Sequence, residues 1–217
     1  QVAIDAPVTQ YIPEFSAHDK SAVSIRHLMT HTSGLRPGLS LGDPWEGAPE
    51  AIHRACQESL VTPPGTKFKY SDINFILLGE IVHRVSGKPL HQFASEEVFQ
   101  PLRMDHTRFL PPADWIQKTA PTTKLNDSYI RGVVHDPTSR RMGGVAGHAG
   151  LFTCASDLAR FARMMLGQGE VDGVRVFKPE TITLMTSIQS PIDVPEKRGL
   201  GWDIDSPYSS PRGYHFP

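Results

Sequence analysis

The sequence predicts an α+β chain dominated by helix, with strands short and few. Two apolar repeats and one scarcity point there. Ile73, Leu77, Ile81 and Val85 recur at helical spacing with Leu78 and Val82 beside them, and Leu158, Phe161, Ala162, Met165 and Leu166 repeat likewise. Strand-like patterning is confined to Thr107 through Leu110 and to the alternating run Gly199-Leu200-Gly201-Trp202-Asp203-Ile204. A chain of 217 residues with 39% apolar content can bury a core and is most simply one domain, or one domain plus a piece of another.

Taken in order, the first twenty residues read as extended chain and turns, punctuated by Pro7 and Pro13. Ser24 can cap a short helix through His31, with Ile25, Leu28 and Met29 inward and Gly34 beyond its end. The loop from Leu35 to Gly47 carries two prolines and two further glycines, and a helix follows from about Pro49 to Ser59. Asp72 opens the strongest helix, which is apolar nearly all round in its first half and meets Gly87 at its end, so it is expected to be buried. Leu90 to Phe99 is a further helix, after which Pro101, Pro111, Pro112 and Pro121 break the chain into irregular segments. Gly143 to Gly150 is a glycine-rich loop, Ser156 caps the helix that ends at Gly167, and Pro179 suits the first turn of a helix to about Ser187.

Composition excludes several classes. The formal net charge is -1 and no basic stripe is present, so nucleic acid is not an expected partner. No apolar run approaches the length of a membrane span. Cys56 shares an apolar helix face with Ile52 and Leu60, the pattern of an inert core thiol, and two cysteines make no disulfide scaffold. His27 and His31 stand four apart on a helix, a zinc-ligand spacing, but Leu28 occupies the place of a metallohydrolase glutamate. No metal and no cofactor is therefore expected. Gly143, Gly144 and Gly147 do not form a phosphate-cradling loop, Ser33 lacks a nucleophile elbow, and His135-Asp136 before Pro137 reads as a loop-fixing pair.

The chemistry centres on Tyr70. It lies in the turn Pro63-Pro64-Gly65-Thr66-Lys67-Phe68-Lys69-Tyr70-Ser71-Asp72, just ahead of the apolar helix, where a phenol can stand at a pocket mouth. A free phenol has a pKa of about 10 and is a poor base at neutral pH. Nearby ammonium groups would lower that value and let the phenolate accept a proton from a hydroxyl. A helix N-terminus also favours negative charge there.

Three segments resemble the serine β-lactamase and penicillin-binding-protein family in its class C-like branch. Tyr70-Ser71-Asp72 with the following helix resembles the family's Tyr-x-Asn turn. Ser24 through Leu35, ending Thr30-His31-Thr32-Ser33-Gly34-Leu35, is similar to its helix and loop. Gly143-Gly144-Val145-Ala146-Gly147-His148-Ala149-Gly150-Leu151-Phe152, followed by Asp157-Leu158-Ala159-Arg160-Phe161, resembles its pocket wall and next helix. The resemblance implies a β-lactamase/transpeptidase-like fold, an antiparallel sheet flanked by helices with a helical subdomain inserted. It further implies acyl-enzyme hydrolysis of an ester, a β-lactam or a D-alanyl peptide, with Tyr70 as general acid/base. Asp72 takes the place of the asparagine, and His148, Ala149 and Gly150 lie on the substrate side. An aspartate has no N–H donor, so esterase or carboxypeptidase chemistry is as well supported as β-lactam hydrolysis.

Two family elements do not occur in the 217 residues. No serine is followed three residues later by lysine, and Lys118-Thr119-Ala120 is only a near miss for the Lys/His-Thr-Gly strand. Residues 1–217 are thus expected to be an interior part of a longer domain, mainly its helical subdomain. As an isolated piece it is expected to be less stable and to form no acyl-enzyme. The alternative is a non-catalytic relative that uses the same pocket to bind cell-wall peptide or a partner protein. By family analogy the site of action is extracytoplasmic.

Overall fold

The computed structural model describes residues 2–210. Helix accounts for about 40% of the chain and strand for 11%. Seven α-helices run in chain order: α1 (Ile25–Met29), α2 (Ala48–Gln57), α3 (Asp72–Ser86), α4 (Leu90–Ala94), α5 (Pro137–Arg141), α6 (Ala155–Leu166) and α7 (Pro179–Thr186). The strands are β1 (Arg108–Phe109), β2 (Pro121–Leu125), β3 (Ser128–Arg131), β4 (Leu151–Phe152), β5 (Glu170–Val171), β6 (Val174–Arg175), β7 (Lys197–Arg198) and β8 (Asp203–Asp205). They pair only as two-stranded antiparallel ribbons, β1 with β4, β2 with β3, β5 with β6 and β7 with β8. Among the described residues no helix is long and apolar enough to cross a membrane.

Helix α3 is the spine of the larger core. Ile73, Ile76, Leu77 and Ile81 are buried from it, against Leu28 of α1, Ala51, Ile52 and Ala55 of α2, and Val8, Ile12 and Phe15 of the N-terminal segment. Each such aliphatic side chain stabilises the fold by about 1.5–3 kcal/mol through burial. Gly87 ends α3 in the left-handed conformation (φ 71°), as a C-terminal glycine does. A second cluster gathers Phe99, Leu102 and Met104 with Met164 and Met165 of α6 and Ile182 of α7. The methionines there fill an irregular space with flexible side chains.

Local departures from the sequence reading have local causes. The first twenty residues are not extended; they form 3-10 turns over Val8–Gln10 and Pro13–Ala22, with Pro13 opening the second. Lys20 explains why this segment docks: its buried ammonium donates to the carbonyls of Cys56 (2.8 Å) and Glu58 (2.6 Å), satisfying the open end of α2. The stretch read as irregular before the glycine loop holds the β2–β3 hairpin, turned by Asn126 and Asp127 at positive φ. Helix α6 is preceded at its cap position by Cys154, not Ser156. The Gly199–Ile204 alternation is not one continuous strand: residues 199–202 turn the chain, with Gly201 at φ 78°, and Asp203 and Ile204 enter β8. Ser24 does cap α1, through a reciprocal pair in which His27 N–H donates to Ser24 Oγ and Ser24 N–H donates to His27 Nδ1.

Candidate active site

Two of the three resembling segments interlock into one structure around Tyr70. The Lys69 N–H donates to the His31 carbonyl (2.9 Å) and the Asp72 N–H to the Pro37 carbonyl (2.7 Å). Ser71 Oγ donates to the Arg36 carbonyl (2.6 Å). His31 sits at φ 57°, a strained setting for a histidine, and is buried. Its Nδ1 accepts from the Ser71 N–H (3.2 Å) and faces the Asn74 amide nitrogen (3.1 Å). Asn74 is oriented in turn by Ser33 Oγ, which donates to its Oδ1 (2.6 Å). With donors on Nδ1, the ring hydrogen belongs on Nε2 and the imidazole is neutral. Burial, aided by the Arg198 guanidinium, pushes its pKa down to about 3.

That neutral ring is the platform for Tyr70. The two rings stack at 4.4 Å between centroids and 27° between planes. Tyr70 remains 42% exposed, so its side chain is not sealed in the core. Burial of the rest of the ring and the Asp72 carboxylate raise its pKa, while Arg198 lowers it. Arg198 is a residue the sequence reading missed. The residue is 5% exposed, its Nη1 lies 3.3 Å from Asp203, and its guanidinium lies 5.9 Å from the Phe68 ring centre. Nothing in the run Lys197-Arg198-Gly199 marks it in sequence, because only the turn back to β8 brings it beneath Phe68 and Tyr70.

Asp72 stands at the first position of α3, with Ser71 at the cap, so its carboxylate is not spent on capping. It faces the third segment instead. Ligand-type atoms of Asp72, Asp136 and His148 all lie within 4.8 Å of one another. His148 Nε2 meets Asp136 Oδ1 at 2.8 Å, with the histidine side chain 4% exposed. Burial foremost, then the Asp136 charge, raises the Asp72 pKa, and His148 opposes the shift. Asp136 itself caps α5 by accepting from the Ser139 N–H (2.6 Å) and is held below the usual carboxylate range by its hydrogen bonds to His148 and Ser139, against its own burial. The sequence reading paired Asp136 with His135; its partner is His148.

The glycine loop is seated directly on α3. A Cβ on Gly147 would lie 2.0 Å from the Phe75 carbonyl oxygen, so only glycine permits this approach. Gly150, at φ 122°, packs so that a Cβ would meet the Gly144 oxygen at 2.4 Å, and the Ala149 carbonyl accepts from Ser139 Oγ (3.0 Å). Ala149 and Gly150 line a groove of about 1000 Å³ together with Asp136, Trp115, His106 and Cys154. His148 turns its ring toward Asp136 and Asp72. The structure therefore brings Asp72 and His148 together, and places Ala149 and Gly150 along an adjacent groove. Among the described residues two side-chain sets are chemically able to hold a cation, Asp72 with Asp136 and His148, and His106 with Cys154 and Asp157. His27 and His31, the pair with zinc-ligand spacing, instead direct their Nδ1 atoms at the backbone N–H groups of Ser24 and Ser71.

A helix-dominated α+β architecture, a partly exposed tyrosine just before a buried helix, and a glycine wall docked on that helix define a β-lactamase/transpeptidase-like fold. The comparisons agree: the β-lactamase family profile matches residues 1–217, and the chain belongs to the β-lactamase family, in the serine β-lactamase and penicillin-binding-protein group. An Escherichia coli protein assigned as a D-alanyl-D-alanine carboxypeptidase is 30% identical, over 93% of this chain and 52% of that protein. An N-acetylmuramyl-L-alanine amidase of Bacillus subtilis is 29% identical, over 90% of this chain and 50% of its own. Among solved structures, a protein from Bacteroides dorei assigned as a β-lactamase superposes with a TM-score of 0.71 at 25% identity, over 93% of this chain and 58% of that one. The chain thus spans about half the length of the curated relatives it matches.

Proposed function

We propose that this chain supplies the general acid/base and one pocket wall of a serine hydrolase that works through an acyl-enzyme. The observation that carries the proposal is the half-exposed Tyr70 phenol, stacked on a neutral, buried His31 and flanked by Asp72 and Arg198. With its pKa raised, the phenol is protonated at neutral pH and acts first as a donor. An ammonium group brought beside it, as the family's lysine would be, adds to the Arg198 charge and makes the phenolate accessible. The Asp72 carboxylate, kept above its ordinary range by burial and by Asp136, is suited to receive that ammonium, which would return it to the ionised form.

The substrate class we assign is an ester or a D-alanyl peptide ahead of a β-lactam. Asp72 cannot donate a hydrogen bond to a substrate amide carbonyl, as the asparagine it replaces would. The carboxypeptidase and amidase names of the relatives support a cell-wall peptide. The raised phenol pKa alone also suits a non-catalytic relative that binds such a peptide. Acylation separates the two readings. Intact-mass analysis after exposure to an activated ester or a penicillin is expected to show no adduct on residues 1–217 alone, and one on a serine outside them in the full open reading frame that encodes this chain. An adduct on any serine of this chain, or none on the full protein, overturns the proposal.

A further inference from the structure

The second cation-capable set shares no residue with the acid/base proposed above. We propose that His106, Cys154 and Asp157 form a binding site for a thiophilic divalent cation, zinc being the fitting ion. One ligand-type atom from each lies within 4.8 Å of the other two. An imidazole, a thiol and a carboxylate are the three donor types that bind zinc, and three protein ligands leave a fourth position for water or another ligand.

The side chains come from two elements that the fold holds together. His106 lies two residues before β1, and Cys154 and Asp157 straddle the start of α6 two residues after β4. The β1–β4 pairing of Arg108 with Phe152 brings these ends side by side. Asp157 is buried, and its Oδ2 accepts from the His106 N–H (2.8 Å) and from Thr107 Oγ1 (2.8 Å). Thr107 Oγ1 also pairs with Thr153 Oγ1 (2.7 Å). The carboxylate is therefore oriented before any ion arrives, as outer hydrogen bonds orient ligands in metal sites. His106 is exposed and rests on Trp115 at 5.4 Å between ring centres, free to turn. The thiol lies 3.1 Å from Ser156 Oγ.

Zinc–sulfur and zinc–nitrogen bond lengths imply a ligand-to-ligand edge of about 3.5 Å in a tetrahedron. The set, within 4.8 Å, must therefore draw in by about 1.3 Å at most, to which rotation of the exposed His106 contributes. Both His106 and Cys154 line the groove shared with Ala149 and Gly150, so the open fourth position faces that groove. The Asp72, Asp136 and His148 set is the weaker candidate, since His148 Nε2 is already engaged with Asp136.

The test is titration of the reduced chain with Co(II) as the spectroscopic probe, followed by displacement with zinc. The expected result is a thiolate-to-cobalt charge-transfer band with tetrahedral d–d bands, saturating at one ion per chain and bleached by zinc. Cys154→Ser should abolish the charge-transfer band, and His106→Ala should weaken binding by about tenfold or more. His106 is exposed, so its variant should keep the fold, and circular dichroism checks both. No band in the native chain overturns the proposal. So does a band that survives Cys154→Ser and therefore belongs to the buried Cys56, or an affinity unchanged by His106→Ala.

Discussion

A motif spacing singles out Tyr70 and Asp72 in the sequence, but the surroundings of Tyr70 are not visible there. Its platform is His31, thirty-nine residues away in the chain, and the zinc-ligand spacing of His27 and His31 gives no hint of the stack. Asn74, in the first turn of α3, presents its amide to the imidazole. Arg198 left no trace, since an isolated arginine before a glycine turn is ordinary surface chemistry in sequence. A consequence at this scale is acid sensitivity. His31 has a folded pKa of about 3 against 6.5 when unfolded. Between those values the unfolded chain binds a proton that the folded one refuses, so stability falls as pH drops below 6.5. The slope is about 1.4 kcal/mol per pH unit, or about 2 kcal/mol lost by pH 5. His31→Asn keeps a residue tolerant of positive φ and removes the titrating ring. Denaturant melts from pH 7 to 5 should show a flatter dependence in the variant; an unchanged slope would mean the ring is not held neutral.

At the scale of elements, the long apolar helices α3 and α6 were readable from periodicity, as were the start of α7 at Pro179 and the capping of α1 by Ser24. Short elements were lost where turn chemistry was passed over. Leu125-Asn126-Asp127-Ser128 carries a two-residue turn signal that marks the β2–β3 hairpin. Asp136 followed by Pro137 is a helix-start signature, and it was read as a loop. The Gly199–Ile204 alternation misled because Gly201 needs a positive φ, which turns the chain instead of extending it. The same kind of argument predicts how the glycine wall is seated. Gly147→Ala would drive a methyl group to 2.0 Å from the Phe75 carbonyl on α3. We expect a loss of about 2–4 kcal/mol and a Tm lower by roughly 5–15 °C. A melt unchanged in Tm would show that the wall is not pressed on the helix.

At the scale of the whole molecule, three segments far apart in sequence meet at the start of α3. The Thr-His-Thr-Ser-Gly loop braces Tyr70 from below, the turn presents the phenol, and the glycine wall brings His148 and Asp136 against Asp72. This convergence is why the fold class and family could be anticipated from motifs, whereas the pairing of His148 with Asp136 and the groove beside it could not. Motifs state which residue types occur in order; tertiary packing decides which of them touch. The central claim is that the Tyr70 phenol carries the proton in acyl transfer. The most direct measurement is the acylation rate of the full open reading frame, native and Tyr70→Phe, with an activated ester. Removing only the phenol oxygen should slow acylation by about 10²- to 10⁴-fold while the fold persists. Equal rates in the two proteins would contradict the account.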